Sequence, residues 1–412
     1  MLRSIASFCY RITRALWAYL LGKPINLIRL NYGTVGSDDV RIARKFLYNR
    51  QLDQDQVVEA FEKEFSQVTG CRYSYSFLKG RVALSACLHA LDLKPGDQVL
   101  IPAFTCLAVA NACWVLDLQL RFCDIELDSF GLCFESFSDR LEKHPGIKAV
   151  IIQHTFGLVC RDFDKLLDAC RKEGISIIED CCHATGASYR GKKLGNFGDL
   201  AYYSSERSKV FSTYQGGIAV TNDDELAIKL RNYQASMNYP SRRLTKAYLR
   251  SYIWGYYNLG HPYRKITGPI SNLFLARSTR RYLTAKESIQ REPPTNYFLR
   301  MPGPLAAIGL NQLKKLDDHI SIRRLTSKRW FTWCQENELQ APTVIPESEP
   351  VFLRFPVLTD RSRKEDRAWA ALLGVEVGVW FKSYLHPVDF HLFNCPNAEK
   401  AIRCCINFPT LE

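Results

Sequence analysis

Between Ile175 and Val220 the chain reads ISIIEDCCHATGASYRGKKLGNFGDLAYYSSERSKVFSTYQGGIAV, an order of residues that few folds accommodate. A β-rich run, Ile175-Ser176-Ile177-Ile178, ends on two acids, Glu179 and Asp180. A loop punctuated by Gly186, Gly191, Gly195 and Gly198 leads to a second run, Leu200-Ala201-Tyr202-Tyr203. Ser204, Ser205 and Lys209 follow, and Gly216-Gly217 turns the chain into Ile218-Ala219-Val220. Apolar runs this short, bounded by glycine, read as buried strands.

Upstream, strand and helix patterns alternate. The spacing predicts a helix over 38–67, with Val57, Phe61 and Phe65 on one face, then a strand over 73–77 and a helix over 82–91. Further strands are expected at 98–101, 120–123 and 148–153, with helices at 107–115 and 162–172. Such alternation gives an α/β fold with a doubly wound, mainly parallel sheet, whose sites lie at the carboxyl ends of the strands. That rule gathers Gly80-Arg81, Phe104 to Cys106, His154, Asp180 and Ser204 to Lys209 on one rim.

A carboxylate at a strand end and a lysine after the next strand are what pyridoxal phosphate chemistry needs. The carboxylate keeps the pyridine nitrogen protonated; the lysine forms the Schiff base and moves the proton. The same spacing also suits a surface lysine and a helix-capping aspartate. Gly80 opens a helix, where amides can hold a phosphate, and Arg81 can add a bidentate contact. The plainer alternative there is a tight turn with an exposed arginine.

At 412 residues the chain is long for one core, so two domains are expected. Its 15 cysteines include no C-x-x-C pair, and many fall in apolar runs. That reads as a reducing cytoplasm, with no disulfide framework and no metal site. The net charge of +13 is concentrated in residues 1–34 and 240–300, leaving the rest of the chain near neutral. Residues 1–23 space Leu2, Ile5, Cys9, Ile12, Leu16 and Leu20 as a basic amphipathic helix. Arg11 and Arg14 interrupt it far short of a membrane span. It suits either an anionic membrane surface, which would make the protein peripheral at the inner face, or the protein's own body or partner subunit.

These residues resemble the DegT/DnrJ/EryC1/StrS family of sugar aminotransferases, over roughly 55–235 and 300–410. The most specific stretch is Tyr189 to Asp199, close to the family's Y-x-G-x-x-x-G-x-F-G-D. Supporting it are Pro95-Gly96-Asp97, the I-P-A-F-T-C segment at 101–106, and Ala306 to Asp317, similar to A-A-I-G-x-x-Q-L-x-x-L-D. Leu385-His386-Pro387 and Cys395 to Glu399 resemble its closing motifs.

The resemblance implies the type I aminotransferase fold, with a smaller α+β C-terminal domain, and pyridoxal 5'-phosphate as cofactor. It makes Lys209 the Schiff-base lysine and Asp180 the pyridinium partner. His183 falls where Gln usually lies beside the ring hydroxyl, Ser204 matches the phosphate serine, and Gly80-Arg81-Val82 occupies the phosphate turn. Three departures stand out. Arg81 replaces a small hydroxyl residue, Cys106 stands where an aromatic often covers the ring, and Phe298 replaces an Asn two residues before a matching Arg300. Trp380, Phe381, His386 and Arg300 are the candidate substrate residues, although the first three also suit a core.

The resemblance lapses over 240–295, a basic and aromatic insert suited to a nucleotide diphosphate, a bilayer or a partner subunit. No nucleic-acid motif accompanies it. The chain therefore divides into an extension (1–34), a cofactor domain (35–239), the insert (240–300) and a linking helix with a small domain (301–412), in which a strand is expected over 351–357. The expected activity is transfer of an amino group, from a donor such as glutamate, to a nucleotide-linked keto-sugar in surface polysaccharide or amino-sugar biosynthesis, by a homodimer. The rivals are a sugar dehydratase, which Lys209 argues against because such relatives carry His there, and a non-catalytic membrane-surface protein.

Overall fold

A computed structural model describes residue 30 and residues 33–48, 54–259 and 288–411. The strands in chain order are β1 (Tyr73–Phe77), β2 (Gln98–Pro102), β3 (Thr105–Cys106), β4 (Gln119–Cys123), β5 (Ile147–Gln153), β6 (Ser176–Asp180) and β7 (Ser188–Tyr189). Then come β8 (Lys192–Lys193), β9 (Leu200–Ser204), β10 (Gly217–Thr221), β11 (Ser348–Glu349), β12 (Phe355–Leu358), β13 (Leu385–His386) and β14 (Cys405–Phe408).

Seven of them form the central sheet in the order β1-β10-β9-β6-β5-β2-β4. All neighbours from β9 to β4 are parallel, and β10 runs against both of its neighbours. The expected doubly wound, mainly parallel sheet is therefore present. β9 and β10 are buried along their whole length, as a sheet covered on both faces requires. β6 and β9 are parallel neighbours that end on Asp180 and Ser204, which brings these two residues to the same edge of the sheet.

Three expectations change. The predicted helix 38–67 is two helices, Ser37–Tyr48 and Gln54–Thr69; Phe61 and Phe65 are buried with Val58, while Val57 is only half-buried. The predicted strand over 351–357 is confined to β12. Phe352 adopts φ 48°, a left-handed conformation that ends extended structure. The insert is partly core: the helix Arg242–Leu259 packs on Ser37–Tyr48, and Tyr248 and Tyr252 are buried in the main cluster. Residues 260–287 and the N-terminal amphipathic segment lie outside the described residues.

The C-terminal part packs Trp330, Phe355, Phe408 and their neighbours around the antiparallel pair β12–β14, in a core shared with Phe104, Phe130 and Phe156 of the large body. Two short pairings stitch it to the large body. β11 pairs with β7, and β13 pairs in parallel with β3 so that His386 lies opposite Cys106. Among the described residues no helix is long and apolar enough to cross a membrane, and every cysteine is a free thiol.

Candidate active site

Side chains alternate along a strand, so Glu179 and Asp180 face opposite sides of the sheet. Glu179 is wholly buried. Its Oε2 accepts the Gly195 N–H at 2.8 Å and lies 3.0 Å from His154 Nε2. Its Oε1 accepts the N–H groups of Phe197 and Gly198 at 2.6 and 2.8 Å. Burial alone would raise this carboxyl, but His154 and the amides outweigh it, and its pKa lies below the ordinary value. His154 therefore braces the glycine loop beneath the sheet rather than joining the rim, a correction to the expected grouping. His154, Glu179 and Cys181 lie close enough to resemble a metal cluster, yet Glu179 already has its oxygens occupied.

Asp180 points to the rim side and is 5% exposed. Its Oδ1 accepts the Cys182 N–H at 2.9 Å, and its Oδ2 accepts the Tyr202 hydroxyl at 2.5 Å. Burial and the Asp180 charge push Tyr202 well above its usual pKa, so it stays a phenol and a donor. Sequence reasoning placed Tyr202 on its strand but missed this role. Tyr202 lies opposite Asp180 in the β6–β9 register, a pairing that local sequence pattern does not report.

Gly80 begins the helix Gly80–Ala90, whose first residues have no side-chain cap. A Cβ on Gly80 would lie 3.1 Å from Ser204 Cβ, 3.2 Å from its Oγ and 3.8 Å from Cys182 Sγ. Gly80, Cys182 and Ser204 thus form one small cradle at a helix N-terminus, a shape and a set of donors that fit a phosphate. Arg81 sits beside it, half-buried. Val82 does not belong to the cradle: its side chain is core, and its N–H donates to Lys79 O at 3.0 Å.

Lys209 is half-buried, and its Nζ lies 5.0 Å from the centroid of Trp380. His183 is 6% exposed, with its ring 4.4 Å from Trp380 and 6.2 Å from Phe381. Phe156, held at φ 58°, donates its N–H to His183 Nδ1 at 3.2 Å. Nδ1 is then the acceptor, so the ring carries its proton on Nε2, facing away from Phe156. Burial first, then Lys209 and Arg354, push the His183 pKa well below its usual value, leaving a neutral donor. Phe381 is 2% exposed and packs edge-on to Phe104 at 4.7 Å, so it serves the core as much as the pocket. His386 faces Cys106 across β13–β3 and touches Phe381 edge-on at 6.1 Å.

Arg300 is not brought to this group. It pairs with Asp55 at 3.2 Å and stacks on Tyr239 at 4.5 Å. Phe298 packs against Tyr297 and Tyr233. The remaining candidates converge. Cys182 feels the charges of both Asp180 and Lys209 and borders the cradle, and His183 links Lys209 to Trp380.

Comparison with known proteins gives the same frame. A family model described as the DegT/DnrJ/EryC1/StrS aminotransferase family matches residues 34–265 and 270–412. GDP-perosamine synthase of Caulobacter vibrioides is 28% identical over 303 residues, 72% of this chain and 67% of that protein. GDP-perosamine synthase of Vibrio cholerae is 33% identical over 178 residues, 42% of this chain and 48% of that one. The chain thus spans between about half and two thirds of these relatives. A solved Escherichia coli GDP-4-keto-6-deoxy-D-mannose-3-dehydratase with bound hydrated pyridoxal phosphate has a TM-score of 0.69 at 20% identity, covering 94% of this chain and 95% of that one.

Proposed function

The chain belongs to the DegT/DnrJ/EryC1/StrS aminotransferase family, and we propose that it moves an amino group from an amino-acid donor, glutamate first among the candidates, to a nucleotide-linked keto-sugar. The observation that carries this reading is Lys209 set among Asp180, neutral His183 and the Gly80–Ser204 cradle. Pyridoxal phosphate, when bound, supplies an electron sink that makes the proton on the donor's α-carbon labile.

Gly80, Ser204 and the helix amides would hold its phosphate, with Arg81 beside them. Asp180, fixed by the Cys182 N–H and the Tyr202 hydroxyl, would face its pyridine nitrogen. His183 Nε2–H is the donor available to its ring oxygen. Lys209 would anchor it and, once released, carry the proton between donor carbon and cofactor carbon. Cys106 and Trp380 would wall the pocket. Residues 301–412 would close over it, through the β13–β3 contact with the cofactor body at 35–239.

The GDP-linked relatives support a nucleotide-sugar acceptor. The fold shared with a dehydratase makes amine incorporation the deciding assay. We extend the reading to a homodimer and to a peripheral contact with an anionic membrane. Supporting the latter, Arg41, Arg44, Lys45, Arg242, Arg243 and Arg250 are exposed on two helices that pack together. Light scattering and flotation with anionic vesicles test these two extensions.

The first experiment is the absorbance spectrum of the protein with added pyridoxal phosphate, before and after borohydride. We expect a reducible band, with the label mapped to Lys209 and absent in Lys209→Ala. Glutamate should bleach that band, and labelled nitrogen should reach the sugar. No band at saturating cofactor would remove the enzymatic reading. Keto-deoxy product without nitrogen would replace it by the dehydratase.

A further inference from the structure

The loop from Ser205 to Gly216 carries Lys209, and its own backbone closes its neck. The Ser205 N–H donates to Gly216 O at 3.1 Å, the Thr213 N–H to Ser205 O at 2.9 Å, and the Arg207 N–H to Tyr214 O at 3.2 Å. Tyr214, at that neck, adopts φ 74°, a left-handed conformation that strains an aromatic residue and is open to glycine. An aromatic held there points to contacts that offset the strain.

Those contacts lie on the basic, aromatic insert. The Tyr214 ring packs against Tyr248 at 6.2 Å, and its hydroxyl faces Ser251. One turn further along the same helix, Tyr252 donates its hydroxyl to Ser212 O at 3.3 Å. Tyr248 and Tyr252 are 4% and 1% exposed, so this face of the helix Arg242–Leu259 is sealed. The Ser212 N–H donates to Gln312 Oε1 at 3.2 Å, and Ser212 Oγ accepts the Tyr214 N–H at 3.1 Å. The carbonyl, amide and hydroxyl of Ser212 are thus all held. Val210 and Phe211, which join Ser212 to Lys209, are wholly buried, so little slack separates the held residue from the lysine.

We propose that this helix braces the Lys209 loop, with Tyr214 and Tyr252 as positioning residues that set how readily Lys209 Nζ reaches the cofactor's carbonyl carbon. This deepens the transaminase reading and rests on it. In the step concerned, Lys209 as the free amine bonds to that carbon, and its two Nζ hydrogens leave with the carbonyl oxygen as water. A reacting atom has to be held to within about 0.5 Å, and a loosened loop forfeits that placement. The rival is that the loop's backbone suffices and the insert only packs on it. Tyr214→Gly separates the two, because glycine keeps φ 74° without strain while removing the ring. Under the rival, the loop with glycine is as well ordered as the wild type or better; under the brace, it loosens.

The test uses the full-length chain with Tyr214→Gly, Tyr214→Phe and Tyr252→Phe. Without cofactor, hydrogen exchange at residues 205–216 is followed by mass spectrometry beside that of β5 and β6. Tyr214→Gly is expected to speed exchange in the loop on the order of 10-fold and to leave the two strands unchanged. With pyridoxal phosphate, the reducible band at Lys209 should form roughly 10- to 100-fold more slowly. Pyridoxamine phosphate has the same ring and phosphate but no carbonyl, so its dissociation constant, from fluorescence titration, should not move. Tyr214→Phe, which keeps the ring against Tyr248, should stay near wild type on both measures. Tyr252→Phe should shift both in the direction of the glycine variant, by less.

Loop exchange and band formation unchanged in Tyr214→Gly overturn this proposal alone. So does a rise in exchange shared by β5 and β6, or a weakened pyridoxamine phosphate constant, which would make Tyr214 a packing residue of the whole body. A wild type that shows no reducible band overturns the transaminase reading and this proposal together. If Tyr214→Gly fails to fold, Tyr252→Phe decides: a band that forms at the wild-type rate overturns the proposal.

Discussion

At the level of single residues, the site is built by small groups in tight places. Gly80 is the clearest case, because a methyl there would crowd Ser204 at 3.1 Å. Gly80→Ala is expected to weaken cofactor binding roughly 10- to 100-fold, as overpacking of a fitted site does, with little change in melting temperature without cofactor. A fluorescence titration beside a thermal melt checks both halves. Much of this was legible in the sequence. Asp180, Lys209, Ser204 and Gly80 follow from strand ends and a glycine turn, which local pattern reports. Tyr202 and Phe156 were not legible, because their roles depend on cross-strand register and a left-handed backbone. Arg300 and Val82 were legible only as motif neighbours. Their side chains turned to Asp55 and to the core.

Taken element by element, the recognisable motifs hold the scaffold. The glycine loop Gly195–Gly198 exists to present amides to Glu179, and Gly195, at φ +94°, packs so closely on Tyr203 that a Cβ would collide with its ring. Asp199 then clamps β6 by accepting the Ile177 N–H at 2.7 Å. Gln312, in the later motif, accepts the Ser212 N–H at 3.2 Å and donates to Asp39 at 2.6 Å, steadying the loop that carries Lys209. Glu179→Gln would turn one acceptor into a donor facing either an amide or His154. We expect a loss of about 3–5 kcal/mol, as when one partner of a buried ion pair is removed. Chemical denaturation measures it. A loss below about 1 kcal/mol would mean that the loop relaxes around the change. Pattern reading found these motifs but could not tell a clasp from a binding loop, since both need glycines and amides.

Over the whole molecule, three histidines, buried His183 and half-buried His319 and His386, share one bias. Burial lowers His319 and His386 to about 4, and His183 also lies well below its ordinary value. The unfolded chain binds these protons near pH 6.5, and the folded chain does not until about 4, so acid favours unfolding. The melting temperature is expected to fall steadily between pH 6.5 and about 4. The double variant His319→Asn/His386→Asn should have a flatter profile across that window. An unchanged slope would assign the acid sensitivity to other groups. Across the same molecule, β6 places consecutive residues under separate demands. Glu179 is committed to the frame and Asp180 to the pocket, with the sheet itself as the partition between them. A lineage built this way can exchange one acceptor for another by altering the wall at Cys106 and Trp380, while the signature by which it is detected stays intact. Signature searches therefore report ancestry well and specificity poorly, and libraries aimed at new substrates belong on the wall, not on the signature.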